Sequence, residues 1–362
     1  MPLKINIWRV LGLLAIIAFA VLFFKIVIYL GVSLILFLVG SPFTARLKKL
    51  SFRKKQMPDS LASLITILLI IMIVFGLFLL ILPPLISEIN FLSDLNFNDV
   101  FHNILEQFPK IKNALLKMGS EDDLQKNLSK SIAEYLNTKN ISLFINNTFQ
   151  FLTSIVGGIL CTLFITFFLL KDGKIVKESI LIITPTGIEN EMGDILKISK
   201  KMLSNYFVGL FIDMFIVGVS AFLLLTFFGV KNALIIAFCA GILNVIPYIG
   251  SAITLIIAVI LGVSSCISSG NYALIEPTIN TIVIILLSIN LIDAFLIQPF
   301  IFSNSVKAHP LEIFIVTLMA GTLGGIFGMV IALPAYTIIR IIASEFLTHL
   351  KFFKKISEKI TT

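Results

Sequence analysis

Gly241-Ile-Leu-Asn-Val-Ile-Pro-Tyr-Ile-Gly-Ser251 is the stretch whose reading decides the fold. It lies in a segment, residues 232–272, that contains no Asp, Glu, Lys or Arg. A run that apolar belongs in a bilayer, yet Asn244, Pro247 and Gly250 interrupt it. Proline lacks the backbone donor and clashes with the preceding turn, so a helix kinks or breaks there. In hydrocarbon, the freed backbone groups must be satisfied by protein or by a water-filled cavity. An interrupted hydrophobic segment therefore points to a solute path, against the alternative of a kink used only for packing. The segment either crosses with a bend or folds back as a re-entrant hairpin.

The composition agrees with a membrane setting. Of 362 residues, 58% are hydrophobic and 13% charged, where a soluble domain carries about 25% charged residues. The mean hydropathy is +1.05, and 33 phenylalanines suit a lipid-facing surface. The net charge of +8 does not imply nucleic acid, because the basic residues gather in short loops and in the tail. Cys161, Cys239 and Cys266 are scattered through apolar segments without pairing or metal-ligand spacing, and read as buried thiols.

A helix needs about 20 residues to cross the hydrocarbon. Residues 5–24 and 26–42 are the first two candidates, the first read as uncleaved because its apolar run continues past Ala18-Phe19-Ala20. The loop with Arg46, Lys48, Lys49, Arg53, Lys54 and Lys55 is then cytoplasmic by the positive-inside rule. Residues 61–82 form a third span, stopped by Pro83-Pro84. From 85 to 147 there are eight acids and six bases, with four-residue apolar spacing at Leu124, Leu128, Ile132 and Leu136. This is read as an extracytoplasmic insert of short amphipathic helices. Residues 149–170 return inward. Ile188, Met192, Ile195, Ser199, Met202 and Tyr206 line one face of a helix that runs into the span 206–228. Three segments follow, 233–262, 277–300 and 311–346, the last long enough to bend or cross twice.

The expected fold is therefore an all-α polytopic membrane protein with about eight transmembrane helices, some broken or re-entrant, and a small helical extracytoplasmic insert. Its parts are helices 1–3 (1–84), the insert (85–148), helix 4 with a cytoplasmic amphipathic helix (149–205), a C-terminal core holding the path (206–346) and a basic cytoplasmic tail (347–362). No HExxH, GxSxG, P-loop or paired intramembrane aspartate motif is present, so neither an enzyme nor a bound metal or cofactor is expected.

Charged residues inside a membrane segment cost at least ~2.5–3.5 kcal/mol on insertion scales and are functional hypotheses by default. Asp213 shares a helix face with Tyr206, Gly209 and Ser220, a stripe that serves either ion handling or a helix–helix contact. Asn290 and Asp293 share a face, and Gln298-Pro299 breaks their segment; the alternative there is hydrogen bonding at a helix end. With Asn244, Pro247, Tyr248 and Gly250, these residues make up the expected substrate and ion path. Gly321, Gly324, Gly325 and Gly328 with Ala332 form two small-residue ridges, and with Pro334 are candidates for packing or a hinge. His309 and Glu312 flank Pro310 and are candidates for a gate, although an acid in a first helical turn is also ordinary capping.

These residues also carry a likeness. Leu169-Leu-Lys-Asp172, Tyr206 with Gly209, Phe228-Gly-Val230, Ile246-Pro-Tyr-Ile-Gly250, Asp293, Pro299, Pro310, Gly321…Gly325-x-x-Gly328 and Leu333-Pro334 resemble, in order and spacing, the autoinducer-2 exporter family, also described as PerM-like permeases. Ser251 and Val208-Gly209-Leu210 depart from the common pattern. The resemblance implies a transporter of a small solute, with sodium or proton exchange known among members. It also implies homo-oligomeric assembly, a pentamer being one form. The expected function is ion-coupled efflux across the bacterial inner membrane, with a sodium/proton antiporter as the alternative. The rival from another class is a non-transporting scaffold that binds an envelope partner through residues 85–148.

Overall fold

A computed structural model describes residues 22–52, 55–94, 157–184, 187–246, 249–299 and 309–348. The first span (all but its last three residues), the insert beyond residue 94, Pro247, Tyr248 and the basic tail beyond residue 348 lie outside the described residues.

Among the described residues the fold is helical. The exception is one two-residue ladder in which β1 (Ser51–Phe52) pairs antiparallel with β2 (Lys55–Gln56). Five helices are long and apolar enough to cross a membrane. They are α1 (Phe24–Lys48), α2 (Asp59–Asp94), α5 (Glu189–Phe227), α7 (Ile249–Ser268) and α8 (Ile275–Ile292, extended by a short turn at each end). Shorter apolar helices are α3 (Gly157–Lys171), α6 (Ala233–Leu243) and the two halves of α9 (Pro310–Thr348). The nine-residue α4 (Ile175–Ile183) precedes α5. This is a polytopic helical membrane protein.

The chain divides into two compact units, residues 1–72 with 149–193 and residues 73–148 with 194–362. In the first, α1, the start of α2 and α3 are joined by small polar residues, as membrane helices pack where no hydrophobic force favours their contact. Ser33 Oγ donates to Thr162 O at 3.0 Å, and the hydroxyls of Thr44 and Thr66 meet at 2.8 Å. A Cβ on Gly40 would stand 3.1 Å from Thr66 Cγ2. Three prolines, at two places, act differently from their sequence reading. The second span does not end at Pro42, because α1 runs through it to Lys48, with Arg46 and Lys48 beside its C-terminal carbonyls. Nor do Pro83-Pro84 stop the third span, since α2 continues through both to Asp94. A membrane helix tolerates proline where neighbours satisfy the freed carbonyls.

The second unit is built of consecutive antiparallel pairs. Gly218 of α5 faces Gly241 of α6, Cys239 of α6 faces Thr254 of α7, and Gly262 of α7 faces Ile282 of α8. Its core joins Val217, Ala221 and Leu225 of α5 to Ala233, Ile235, Ile236 and Ala237 of α6, with Ala258 and Leu261 of α7 and Ile282, Ile285 and Leu286 of α8. α6 has 11 residues, about 16 Å of helix, too short for a hydrocarbon layer of about 30 Å. The chain therefore reverses after Leu243, and α6–α7 is a hairpin rather than one bent crossing. Gly250 makes the reversal possible, because a Cβ there would stand 1.7 Å from Leu243 O.

α9 reverses as well. Gly324 (φ −132°, ψ 16°) and Gly325 (φ 56°, ψ −142°) leave helical geometry, the latter in a region that L side chains rarely enter. Beyond them the helix returns on itself, so that a Cβ on Gly328 would collide with Ala320 O at 2.0 Å. The two ridges expected along one helix do not exist as continuous faces. Gly321 and Gly328 instead line the inside of a hairpin, Gly325 is its turn, and Pro334 is buried within the returning half without breaking it.

Candidate functional site

α5, α6 and α8 each bring one polar side chain to the same level. Asp213 lies about 10 Å along α5 from Tyr206, where the apolar run begins. Asn244 closes α6, and Asp293 begins a π-turn, Asp293–Ile297, at the end of α8. Asn244 Nδ2 donates to Asp213 Oδ2 at 2.8 Å and to Asp293 Oδ2 at 3.3 Å. Gln298 Nε2 donates to Asp293 Oδ2 at 2.8 Å. The residues at 293 and 298 are five apart, a spacing that an α-helix sends to different faces and a π-turn brings together. Pro299 follows at once, in agreement with a helix that loses its regular ladder here.

Both acids are buried, Asp213 at 1% and Asp293 at 2% exposure. The Oδ1 atom of each is buried without a hydrogen-bond partner. One amide, Asn244 Nδ2, reaches an oxygen of each carboxyl, so the two lie close together, and among the described residues no lysine or arginine is hydrogen-bonded or ion-paired to either. Two adjacent carboxylates in an apolar setting cannot both stay charged without compensation. A proton between them or a small cation on the free oxygens supplies it. Among the described residues no group of three or more His, Cys, Asp or Glu gathers to ligate a metal.

Of the expected path residues, the fold thus unites Asp213, Asn244, Asp293 and Gln298, with Gly250 shaping the turn beneath them. Pro247 and Tyr248 lie outside the described residues. Asn290, a turn before Asp293, is half-buried and takes no part in the cluster. From the stripe on α5, Tyr206 and Gly209 are buried with Asp213, whereas Ser220 is half-exposed. The turn itself offers few free donors: Asn244, Val245, Ile246 and Gly250 all give their backbone N–H groups to preceding carbonyls. The chemistry of the site is in its side chains.

His309 and Glu312 are apart from this cluster. His309 Nδ1 accepts from the backbone of Leu311, at the start of its own helix. Glu312 accepts a hydrogen bond from the Tyr336 hydroxyl across the α9 hairpin. A further acid escaped the sequence reading, which assigned Glu88 to the insert. Glu88 lies on α2, where it accepts from Asn232 Nδ2 at 2.9 Å and from the Ser264 hydroxyl. The signal was the resumption of apolar sequence, Leu85-Ile86, after the two prolines.

Comparison with known proteins gives a consistent answer. The family description "AI-2E family transporter" matches residues 10–348. "Putative transport protein YueF" of Bacillus subtilis (strain 168) is 28% identical over 215 residues, 59% of this chain and 56% of that protein. "Putative transport protein YrrI" of the same organism is 27% identical over 184 residues, 51% of this chain and 50% of that protein. The chain spans about half the length of the curated relatives it matches.

Proposed function

This chain belongs to the AI-2E family of transporters, and from that premise we propose that it exports a small solute across the bacterial inner membrane, driven by a proton or sodium ion carried on Asp213 and Asp293. The observation that supports this reading most is the pair of buried carboxylates, bridged by one amide, each with an oxygen that has no partner. In a membrane protein, ionisable groups so placed mark ion pathways and proton relays. Loading one cation removes one of the pair's two negative charges and lets α5 and α8 approach without repulsion between the carboxylates. Unloading restores repulsion between the carboxylates, and α6–α7 shifts to relieve it.

Sodium/proton exchange without an organic solute is the second reading, favoured by two acids that have no cationic partner among the described residues. Proteoliposomes separate the two. If the chain exchanges ions alone, a pH gradient drives sodium flux, read by a sodium dye, in the native protein and not in Asp293→Asn. If it exports an organic solute, counterflow of that solute persists in sodium-free buffer. Flux unchanged by Asp293→Asn in both assays would reject the role of the pair.

A further inference from the structure

α6 is held at both ends by an asparagine amide bound to a carboxylate. At its start Asn232, in the left-handed conformation (φ 60°), donates to Glu88 of α2 at 2.9 Å, and its amide also reaches Leu261 O at 3.4 Å. At its end Asn244 donates to Asp213 and Asp293. Between them the helix is about 16 Å long. It enters from a turn containing Gly229 (φ 72°) and ends at Leu243, where the chain reverses. Its contact with α5 is made close to the backbone. A Cβ on Gly241 would stand 2.8 Å from Met214 O and 3.4 Å from Gly218 Cα, and one on Gly218 would stand 3.4 Å from Ala237 O. At the two glycines the backbones meet with no long side chain between them, a contact that allows the small sliding by which packed helices shear.

We propose that α6 is a tie rod that links the acid pair to a latch at Glu88, so that what Asp213 and Asp293 hold sets how firmly Asn232 and Ser264 grip α2. A charged carboxylate binds an amide more strongly than a neutral group does. When the pair changes charge, Asn244 is held differently, the rod shifts along α5, and the Asn232–Glu88 bond at its far end is strained or relaxed. Glu88 reaches α6 through Asn232 and α7 through Ser264, so its release frees the tail of α2, the segment that leads on toward residue 95. The acid pair would then be coupled to the grip on the tail of α2 at the other end of α6, about 16 Å away. The proposal rests on the pair being the site that changes occupancy, but its test reads exchange rather than flux, and the two can fail separately.

The test is amide hydrogen exchange on the full chain in lipid nanodiscs. In Asp213→Asn/Asp293→Asn, trading charge-assisted for neutral hydrogen bonds should speed exchange at Ile236 and Ala237, the first bonded amides of α6, by about fivefold. Asn244→Ala, which leaves both acids in place, should do the same. Because coupling is reciprocal, Glu88→Gln should in turn speed exchange at residues 243–246. The amides of α8 between residues 279 and 286 should stay unchanged in all three variants. Faster exchange confined to residues 243–246 in the acid variant, or spread evenly through α5, α7 and α8, would overturn the proposal. So would a Glu88→Gln protein whose 243–246 amides exchange as in the native chain, a result that counts even if the acid variant does not fold.

Discussion

Glu312 and Tyr336 are 24 residues apart in one apolar segment, and the phenol of Tyr336 nevertheless donates to the Glu312 carboxylate. An uninterrupted helix would set them about 36 Å apart. The contact exists because Gly324 and Gly325 turn the chain back, and it closes the open end of a helical hairpin. Spin labels at the exposed positions Leu311 and Ile339 should therefore report a distance below about 20 Å, set by neighbouring helices 8–10 Å apart, rather than the roughly 42 Å of one straight helix. Gly325→Ala should broaden that distribution toward longer values, because alanine at φ 56° and ψ −142° is strained by about 1–3 kcal/mol.

Gly241 and Gly218 face each other and should not be equally sensitive. A methyl on Gly241 would stand 2.8 Å from the Met214 carbonyl oxygen, a backbone atom that cannot swing aside. At Gly218 the nearest atom would be at 3.4 Å, an ordinary contact. Gly241→Ala should cost about 1–3 kcal/mol of stability as an overpacked site, and Gly218→Ala well under that. Apparent melting of the purified proteins in detergent checks the order. Equal shifts would show that α5 and α6 are not so closely apposed.

The first unit gives a contrast between buried and exposed polar pairs. The Thr66 hydroxyl is buried between Ala62 O and the Thr44 hydroxyl, so Thr66→Val should cost about 0.5–1.5 kcal/mol. Lys48–Asp59 spans 3.1 Å, but Asp59 is 62% exposed. Asp59→Asn should therefore change stability by less than about 1 kcal/mol. Melting curves of the two variants compared side by side provide the check.

Proton and sodium would compete for the same free oxygens of Asp213 and Asp293. Sodium flux should accordingly fall as the pH on the loading side is lowered, because protons then occupy the pair, and recover as the pH is raised. Asp213→Asn should lower flux at every pH and flatten that dependence, as measured with a sodium dye in proteoliposomes. Asn244→Ala should weaken flux but keep its pH dependence, since both acids remain.

The four side chains of the candidate cluster stand out in the sequence, because Asp213, Asn244, Asp293 and Gln298 are polar groups in segments where polarity is expensive. That they meet does not. Their meeting depends on the reversal after Leu243, and the sequence allowed either a bend or a fold-back there. Gln298 joins Asp293 only through a five-residue turn, which a search at helical spacing passes over. The glycines of α9 were ambiguous for a physical reason. Glycine serves close packing and left-handed backbone alike, and the residue type is the same whether the helix continues or turns at Gly325. Pro42 and Pro83-Pro84 misled in the other direction. A local rule against proline in helices gave way to the stronger requirement that backbone groups in lipid stay internally bonded. Glu88 was assigned by charge to the insert, while its partners Asn232 and Ser264 are distant in sequence.

The central claim, that Asp213 and Asp293 together hold one exchangeable charge, is tested most directly by proton release. Sodium added to the purified protein in weakly buffered detergent with a pH dye should displace about one proton per chain, as cation binding to a protonated site requires. Asp213→Asn/Asp293→Asn should release none. Release of the same size from native and doubly substituted protein, or none from either at any sodium concentration and pH, would contradict the account.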